Sequence, residues 1–300
     1  MKTALRVKER IAVTFLALCA LLTLFVTFGI VIVLFAESIT FFSHVSLVEF
    51  FTGTRWTPTI RPYSYGVLPL VAGTIMVTVG AAVIAIPAGI LSAIYLSEYA
   101  GERTRNILKP MLEILAGIPT VVYGFFAFAY ITPYLKTLLP DLQAYNAVSA
   151  SVVVGIMIIP IVASISEDAI RGVPKSLREA GYALGARKPK VILSIVIPSA
   201  LSGIVASFIL GISRAIGETM AVTIAAGRTP RLANILNPAD WMKSIETMTA
   251  AMVEIGMSDV SGQSIAYKSL FAIGLTLFAM TLALNTVSYF VKMRYREVYR

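Results

Sequence analysis

Two ionisable residues stand inside a run that is otherwise apolar. Arg214 and Glu218 fall within Gly211-Ile-Ser-Arg-Ala-Ile-Gly-Glu-Thr-Met-Ala221, part of a longer apolar stretch from Ile195 to Ala226. If that stretch crosses a bilayer, Arg214 lies about 12 residues, or about 18 Å of helix, from one end, near mid-membrane. An ionised side chain there costs at least about 2.5–3.5 kcal/mol on insertion scales. The four-residue spacing puts both groups on one helical face, where they pair. A neutralised couple that helps to pack a bundle is one account of the pair. An apolar pair would pack with less penalty, however, because desolvation often exceeds the Coulomb gain of a buried ion pair. An anion pathway supplies the missing reason, since guanidinium offers a fork of donors matched to phosphate-like oxyanions.

Little other chemistry is available. Cys19 is the only cysteine and His44 the only histidine, which excludes a disulfide framework and leaves almost no material for a His-ligated metal centre. No G-x-x-x-x-G-K-[ST] phosphate loop occurs, so energy from ATP must come through a partner. A membrane-embedded enzyme would need clustered nucleophiles, bases or ligands in its spans, and the one histidine lies outside them.

The elements that must position Arg214 and Glu218 are membrane helices. Of 300 residues, 57% are apolar and only 14% charged, against roughly 45–50% and about 25% in ordinary globular chains. Six stretches reach the roughly 20 residues that a span requires. They run over 11–36, 66–96, 111–135, 147–165, 195–226 and 269–291. The first follows Lys2, Arg6, Lys8 and Arg10 but exceeds the apolar core of a signal peptide, so it reads as a retained helix. Pro87, Pro119 and Pro198 fall within predicted spans, where kinks or neighbouring helices must satisfy the freed backbone groups. Gly66, Gly73 and Gly80, and again Gly203 and Gly211, allow close helix approach and predict a packed bundle.

The net charge of +9 is an orientation signal. Basic residues concentrate in segment 1–10, in the loop with Arg103, Arg105 and Lys109, in the loop 171–194 and in the tail 292–300. By the positive-inside rule these segments and both termini are cytoplasmic, while 37–65 and 227–268 are exterior loops. Nucleic-acid binding is the competing reading of the charge, and the alternation across six spans argues against it.

The cytoplasmic loop between the fourth and fifth spans reads Gly172-Val-Pro-Lys-Ser-Leu-Arg-Glu-Ala-Gly-Tyr-Ala-Leu-Gly-Ala-Arg-Lys-Pro-Lys190. Pro174 suits a first helical turn, Leu177, Ala180 and Leu184 share a face, and Gly185 suits a stop. A second short helix begins near Pro189. Such an amphipathic loop is either a solvated connector or a helix that docks into a groove of another protein.

Here the chain resembles a known family. Glu179-Ala180-Gly181, Gly185, Ile195 and Ile197-Pro198 match the spacing of the EAA signature in permease subunits of ABC importers, with Gly181 and Ile197 in place of the usual Ala and Leu. Arg214-Ala-Ile-Gly-Glu-Thr219 and Leu115-Ala-Gly-Ile-Pro-Thr-Val-Val-Tyr-Gly-Phe-Phe126 are similar to motifs of phosphate-specific transport (Pst) permeases. Trp56-x-Pro58, Tyr65-Gly66-Val-Leu-Pro-Leu70 and Gly217-Glu-Thr-Met-Ala-Val222 look like the C-type subunit rather than its A-type companion. The resemblance implies an all-α, six-span permease of the type I ABC importer fold, with residues 66–291 as its core. It implies that Glu179, Ala180, Gly181 and Gly185 couple to a cytoplasmic ATPase and that the cargo is inorganic phosphate. The chain would bind no cofactor itself, ATP being used by the partner subunit. The implied partners are an A-type permease, two ATPase subunits and an extracytoplasmic phosphate-binding protein. Another tetrahedral oxyanion, sulfate or molybdate, is the alternative cargo. An autonomous secondary transporter is a further alternative, though it would have no use for the coupling loop and usually shows internal repeats.

Lesser expectations concern the exterior loops and single residues. Ser46-Leu-Val-Glu49 predicts a capped short helix ending near Gly53, with Phe50, Phe51 and Trp56 at the membrane interface. Asn237-Pro238 opens an amphipathic helix through Met242, Ile245, Met248 and Met252 to Gly256, lying on the bundle or the lipid surface or docking a partner. Arg228 and Arg231 either steer an anion inward or are plain solvated charges. Lys109 and Glu113 are expected to pair at i,i+4.

Overall fold

The computed structural model describes residues 2–294 and is built from helices; most of the expected tail, 292–300, lies outside the described residues. α1 (Lys2–Phe42) is a single long helix, exposed along most of its apolar length. α2 (Leu47–Thr52) begins at Ser46, whose hydroxyl accepts the Glu49 N–H at 3.1 Å, and is closed by Gly53, as the capping pattern predicts. A small antiparallel hairpin, β1 (Trp56–Thr57) and β2 (Ser64–Tyr65), follows; two-residue strands give no alternation to read beforehand.

The central helices are α3 (Leu68–Ile94) and α7 (Ala147–Arg171), which form the most extensive helix pair. Small residues bring neighbours close. A Cβ added to Gly80 of α3 would stand 2.4 Å from Ser151 Oγ of α7. α10 (Ile197–Ile216) joins them through Gly203, where a Cβ would stand 2.4 Å from that of Ala169. α14 (Ile265–Arg294) packs between α10 and the C-terminal part of α1.

The stretch 111–135 is not one straight span. α4 (Glu102–Ala116) and the helix that begins with α5 (Thr120–Phe126) and ends with α6 (Thr132–Leu138) meet at 88° across Gly117-Ile118-Pro119. Pro119 lacks an N–H and forces the preceding residue out of helical geometry, so it caps α5 rather than lying within a helix. α4 buries none of its side chains in this chain, and Lys109 does not pair with Glu113: it meets Glu167 and Asp168 of α7, both at 2.7 Å. Pro198 sits in the first turn of α10, directly after a π-helical turn, Ile192–Val196, and Pro133 likewise follows Ala127–Ile131. The wide turns make room where the ring cannot donate to the helix.

The stretch 195–226 is also divided, into α10 and α11 (Met220–Ala226), with Gly217-Glu218-Thr219 between them. The expected amphipathic helix from Pro238 to Gly256 is two pieces, α12 (Pro238–Trp241) and α13 (Met248–Met257), joined by an extended segment. Residues 245–251 are buried. That segment packs into the bundle because Thr74 Oγ1 of α3 accepts the Met248 N–H at 3.0 Å and Ile245 N–H bonds to the Ala226 carbonyl.

Candidate anion pathway and coupling surface

α10 ends at Gly217 because the next residues bond back to it only through short turns, and α11 restarts three residues later. Arg214 and Glu218 straddle this break. Arg214 Nη1 donates to Glu218 Oε2 at 2.9 Å. The carboxylate is 2% exposed, and its other oxygen accepts the Ala221 N–H at 3.3 Å, so it caps α11 as well. Thr249 Oγ1 of α13 donates to the Glu218 carbonyl at 2.8 Å and closes the break from the far side. Arg214 is different: its side chain is 44% exposed at the surface of the chain. Among the described residues its other N–H groups have no protein partner. The glutamate is thus fixed, and the guanidinium presents free donors at an open face. Thr249 escaped the sequence reading, since a lone hydroxyl in an apolar run carries no spacing signal.

The second site is the loop after α7. α8 (Lys175–Ala183) ends with Leu184 and Gly185, whose φ of +76° is a left-handed stop. Gly181 packs where a Cβ would lie 2.7 Å from Ile195 Cδ1, which explains glycine there. The expected face of Leu177, Ala180 and Leu184 is divided. Leu177 packs on the core formed with α9 (Lys188–Val191), whereas Ala180 is exposed and Leu184 is 89% exposed, because the helix stops before reaching it. Glu179 is exposed beside Arg105, Arg171 and Lys175 in a cavity of about 420 Å³.

Arg178, which the motif does not mark, fastens this loop to the bundle. Its Nη2 reaches Glu98 Oε1, in the π-helical turn Tyr95–Tyr99 that continues α3, at 2.9 Å, and the Ile170 carbonyl at 2.8 Å, while Nη1 donates to the Val173 carbonyl. Lys188 donates to the Glu98 carbonyl and lies over the Tyr99 ring. α8 is therefore tied to the C-terminal end of α7 and to the turn that continues α3.

At the other end of the bundle the two candidate steering residues part. Arg231 is held by Asp240 Oδ1 at 2.8 Å and by the Ser244 carbonyl at 2.9 Å. The backbone N–H of Asn234 and the Arg231 guanidinium hold the Asp240 carboxyl below its usual range. Among the described residues Arg228 has only Glu254, at 3.9 Å. Near them, in the connection between α12 and α13, Glu246 is 3% exposed. Burial, reinforced by Glu254, pushes its carboxyl up to about 8. In an unfolded chain it titrates near about 4.3, so between those values the folded chain keeps a proton that the unfolded chain has lost. Stability therefore falls as pH rises through this window and stays lower above it. Glu246→Gln is expected to raise the melting midpoint in detergent by several degrees at pH 9 and hardly at all at pH 4. A difference independent of pH would contradict this.

The family described as binding-protein-dependent transport system inner membrane component matches residues 85–295, most of the chain. The chain belongs to this family. This inner membrane component is 34% identical over 265 residues to "Probable ABC transporter permease protein YqgH" of Bacillus subtilis (strain 168), covering 88% of this chain and 84% of that one. It is 32% identical over 268 residues to the phosphate transport system permease protein PstC of Xylella fastidiosa (strain 9a5c), covering 82% and 79%. Its fold matches a solved structure titled "Inward facing conformations of the MetNI methionine ABC transporter: CY5 native crystal form", with a TM-score of 0.56 at 16% identity, covering 77% of this chain and 95% of that one. The component is an all-α, multi-pass protein with the type I ABC importer permease fold; among the described residues five helices qualify as spans and the bent pair makes six.

Proposed function

We propose that this permease carries inorganic phosphate across the cytoplasmic membrane as one half of an ATP-driven importer, with Arg214 meeting the anion on the way. The observation that carries the reading is the asymmetry of the pair at the break between α10 and α11: a buried, capped glutamate beside a half-exposed guanidinium with free donors. When the path is empty Glu218 holds Arg214; when phosphate arrives, its oxygens take over the free donors and the charge stays compensated in both states. An exposed arginine in the last turn of α10 makes sense if that face meets a second permease, so the path lies between two such chains. The partners in this reading are an A-type permease, two ATPase subunits and an extracytoplasmic phosphate-binding protein. ATP is used by the ATPase, and both termini face the cytoplasm.

Glu179, Ala180 and Gly185 lie on the surface that docks the ATPase, Gly181 packs the same loop against Ile195 beneath it, and Arg178 makes that surface move with α3 and α7. Arg178→Glu sets a like charge against Glu98 and is expected to cut phosphate uptake at least tenfold while the spans stay folded. Adding Glu98→Arg restores the opposite pairing and should recover much of the loss. If the double variant is no better than the single one, the link is not the Arg178–Glu98 pair.

The whole reading is tested by purifying the detergent-solubilised chain and reconstituting what comes with it. An ATPase should co-purify, and ATP-dependent uptake of labelled phosphate should resist competition by sulfate and molybdate. Uptake in the absence of any ATPase would overturn it.

A further inference from the structure

We infer that Arg228 and Glu254 form an anion-selecting vestibule at the exterior end of the same path, specific for tetrahedral oxyanions that still carry a proton. The inference rests on the pathway reading above and adds a second site to it. Arg228 and Glu254 are 3.9 Å apart, beyond hydrogen-bond reach, and their side chains are 61% and 45% exposed. Both keep their hydrogen-bonding capacity for a third group. Together with Tyr145, Thr223, Thr229 and Ser244 they line a cavity of about 650 Å³. Among the described residues the Tyr145 and Thr229 hydroxyls make no hydrogen bond. Those of Ser244 and Thr223 donate to the Ala226 and Thr219 carbonyls, which leaves their oxygens able to accept.

The turn that places Arg228 is fixed. Gly227 has φ +85°, and a Cβ there would stand 2.4 Å from Ser244 Oγ and 2.9 Å from Tyr145 Cβ. α11, seven residues and about 10 Å long, leads from this turn back to Glu218. The vestibule and the Arg214–Glu218 pair therefore stand at opposite ends of one short helix.

The pairing of a guanidinium with a carboxylate selects by proton content. Arg228 donates to any oxyanion. An ionised carboxylate only accepts. Against a fully deprotonated anion such as sulfate, Glu254 sets like charge and lone pairs against lone pairs. Phosphate near neutral pH retains an acidic O–H and donates it to Glu254 while its other oxygens face Arg228.

The test reads the vestibule without turnover. In the assembled complex, with Cys19→Ser removing the native thiol, Thr229→Cys is labelled by uncharged N-ethylmaleimide in the presence of inorganic phosphate or sulfate. Phosphate is expected to slow labelling several-fold and sulfate little. Glu254→Gln should let sulfate protect as phosphate does, and Arg228→Gln should abolish protection by phosphate, protection being the ratio of labelling rates with and without the anion in the same variant, because the neighbouring guanidinium also sets the thiol's own reactivity. Equal protection by the two anions in the parent, or none by phosphate, overturns the proposal. Normal uptake in an Arg214→Gln complex would defeat the pathway reading while leaving this labelling pattern intact, so the two failures are separable.

Discussion

Arg214→Gln is expected to abolish phosphate uptake in a complex that still assembles and hydrolyses ATP. Glutamine keeps a donor near the same place but removes the charge and the fork that match an oxyanion. The change also strips Glu218, 2% exposed, of its only ion-pair partner among the described residues. Leaving a buried carboxylate unpaired destabilises the fold, though by less than in a fully buried pair because Arg214 is 44% exposed, so a companion variant keeps the charges balanced. The double variant Arg214→Gln with Glu218→Gln removes both charges, and its second amide can still accept the Ala221 N–H that Glu218 accepts now. The double variant should assemble like the parent and transport nothing. If the pair served packing alone, restoring neutrality would restore uptake. Labelled phosphate uptake by cells, with co-purification of the ATPase as the assembly check, separates the two.

Gly185→Val is expected to uncouple the importer. At φ +76° a non-glycine residue is strained by about 1–2 kcal/mol, and a β-branched one more. Nothing lies within 4 Å of a Cβ built there, so the effect comes from the backbone rather than a clash. The loop after α8 relaxes, and the surface carrying Glu179 and Leu184 turns away from its partner. Gly185→Asn, which tolerates the left-handed region, should keep most of the activity. Glu179→Lys should weaken ATPase association to a similar degree without any loss of thermal stability, because Glu179 is exposed. The measurements are ATPase co-purification and phosphate transported per ATP hydrolysed. Equal behaviour of Gly185→Val and Gly185→Asn would show that the turn geometry is not what matters.

What could be read in advance was what composition and spacing encode. Apolar length placed the helices, and the four-residue interval between Arg214 and Glu218 predicted a pair that stands at 2.9 Å. Gly185 predicted the stop of α8 because a left-handed stop favours glycine. The failures share a cause. The breaks at Gly117–Pro119 and at Gly217–Thr219 leave hydropathy unchanged, so apolar length runs straight through them. The burial of 245–251 depends on Thr74 and Ala226, which lie outside the segment and, for Thr74, far from it in sequence, and a helical period of methionines cannot report such partners. Arg178 and Arg105 look like orientation charges in the sequence. Only the fold sets them against Glu98 and Glu167. Arg231 and Arg228 are alike in sequence context, and Asp240 separates their roles by taking one of them.

The most direct test is made in proteoliposomes holding the full complex with its binding protein. Phosphate accumulated and ATP hydrolysed are measured side by side for the parent and for Arg214→Gln with Glu218→Gln. The account predicts a finite ratio of phosphate to ATP for the parent, and continued hydrolysis with no accumulation for the double variant. Accumulation by the variant at the parent's ratio would contradict it.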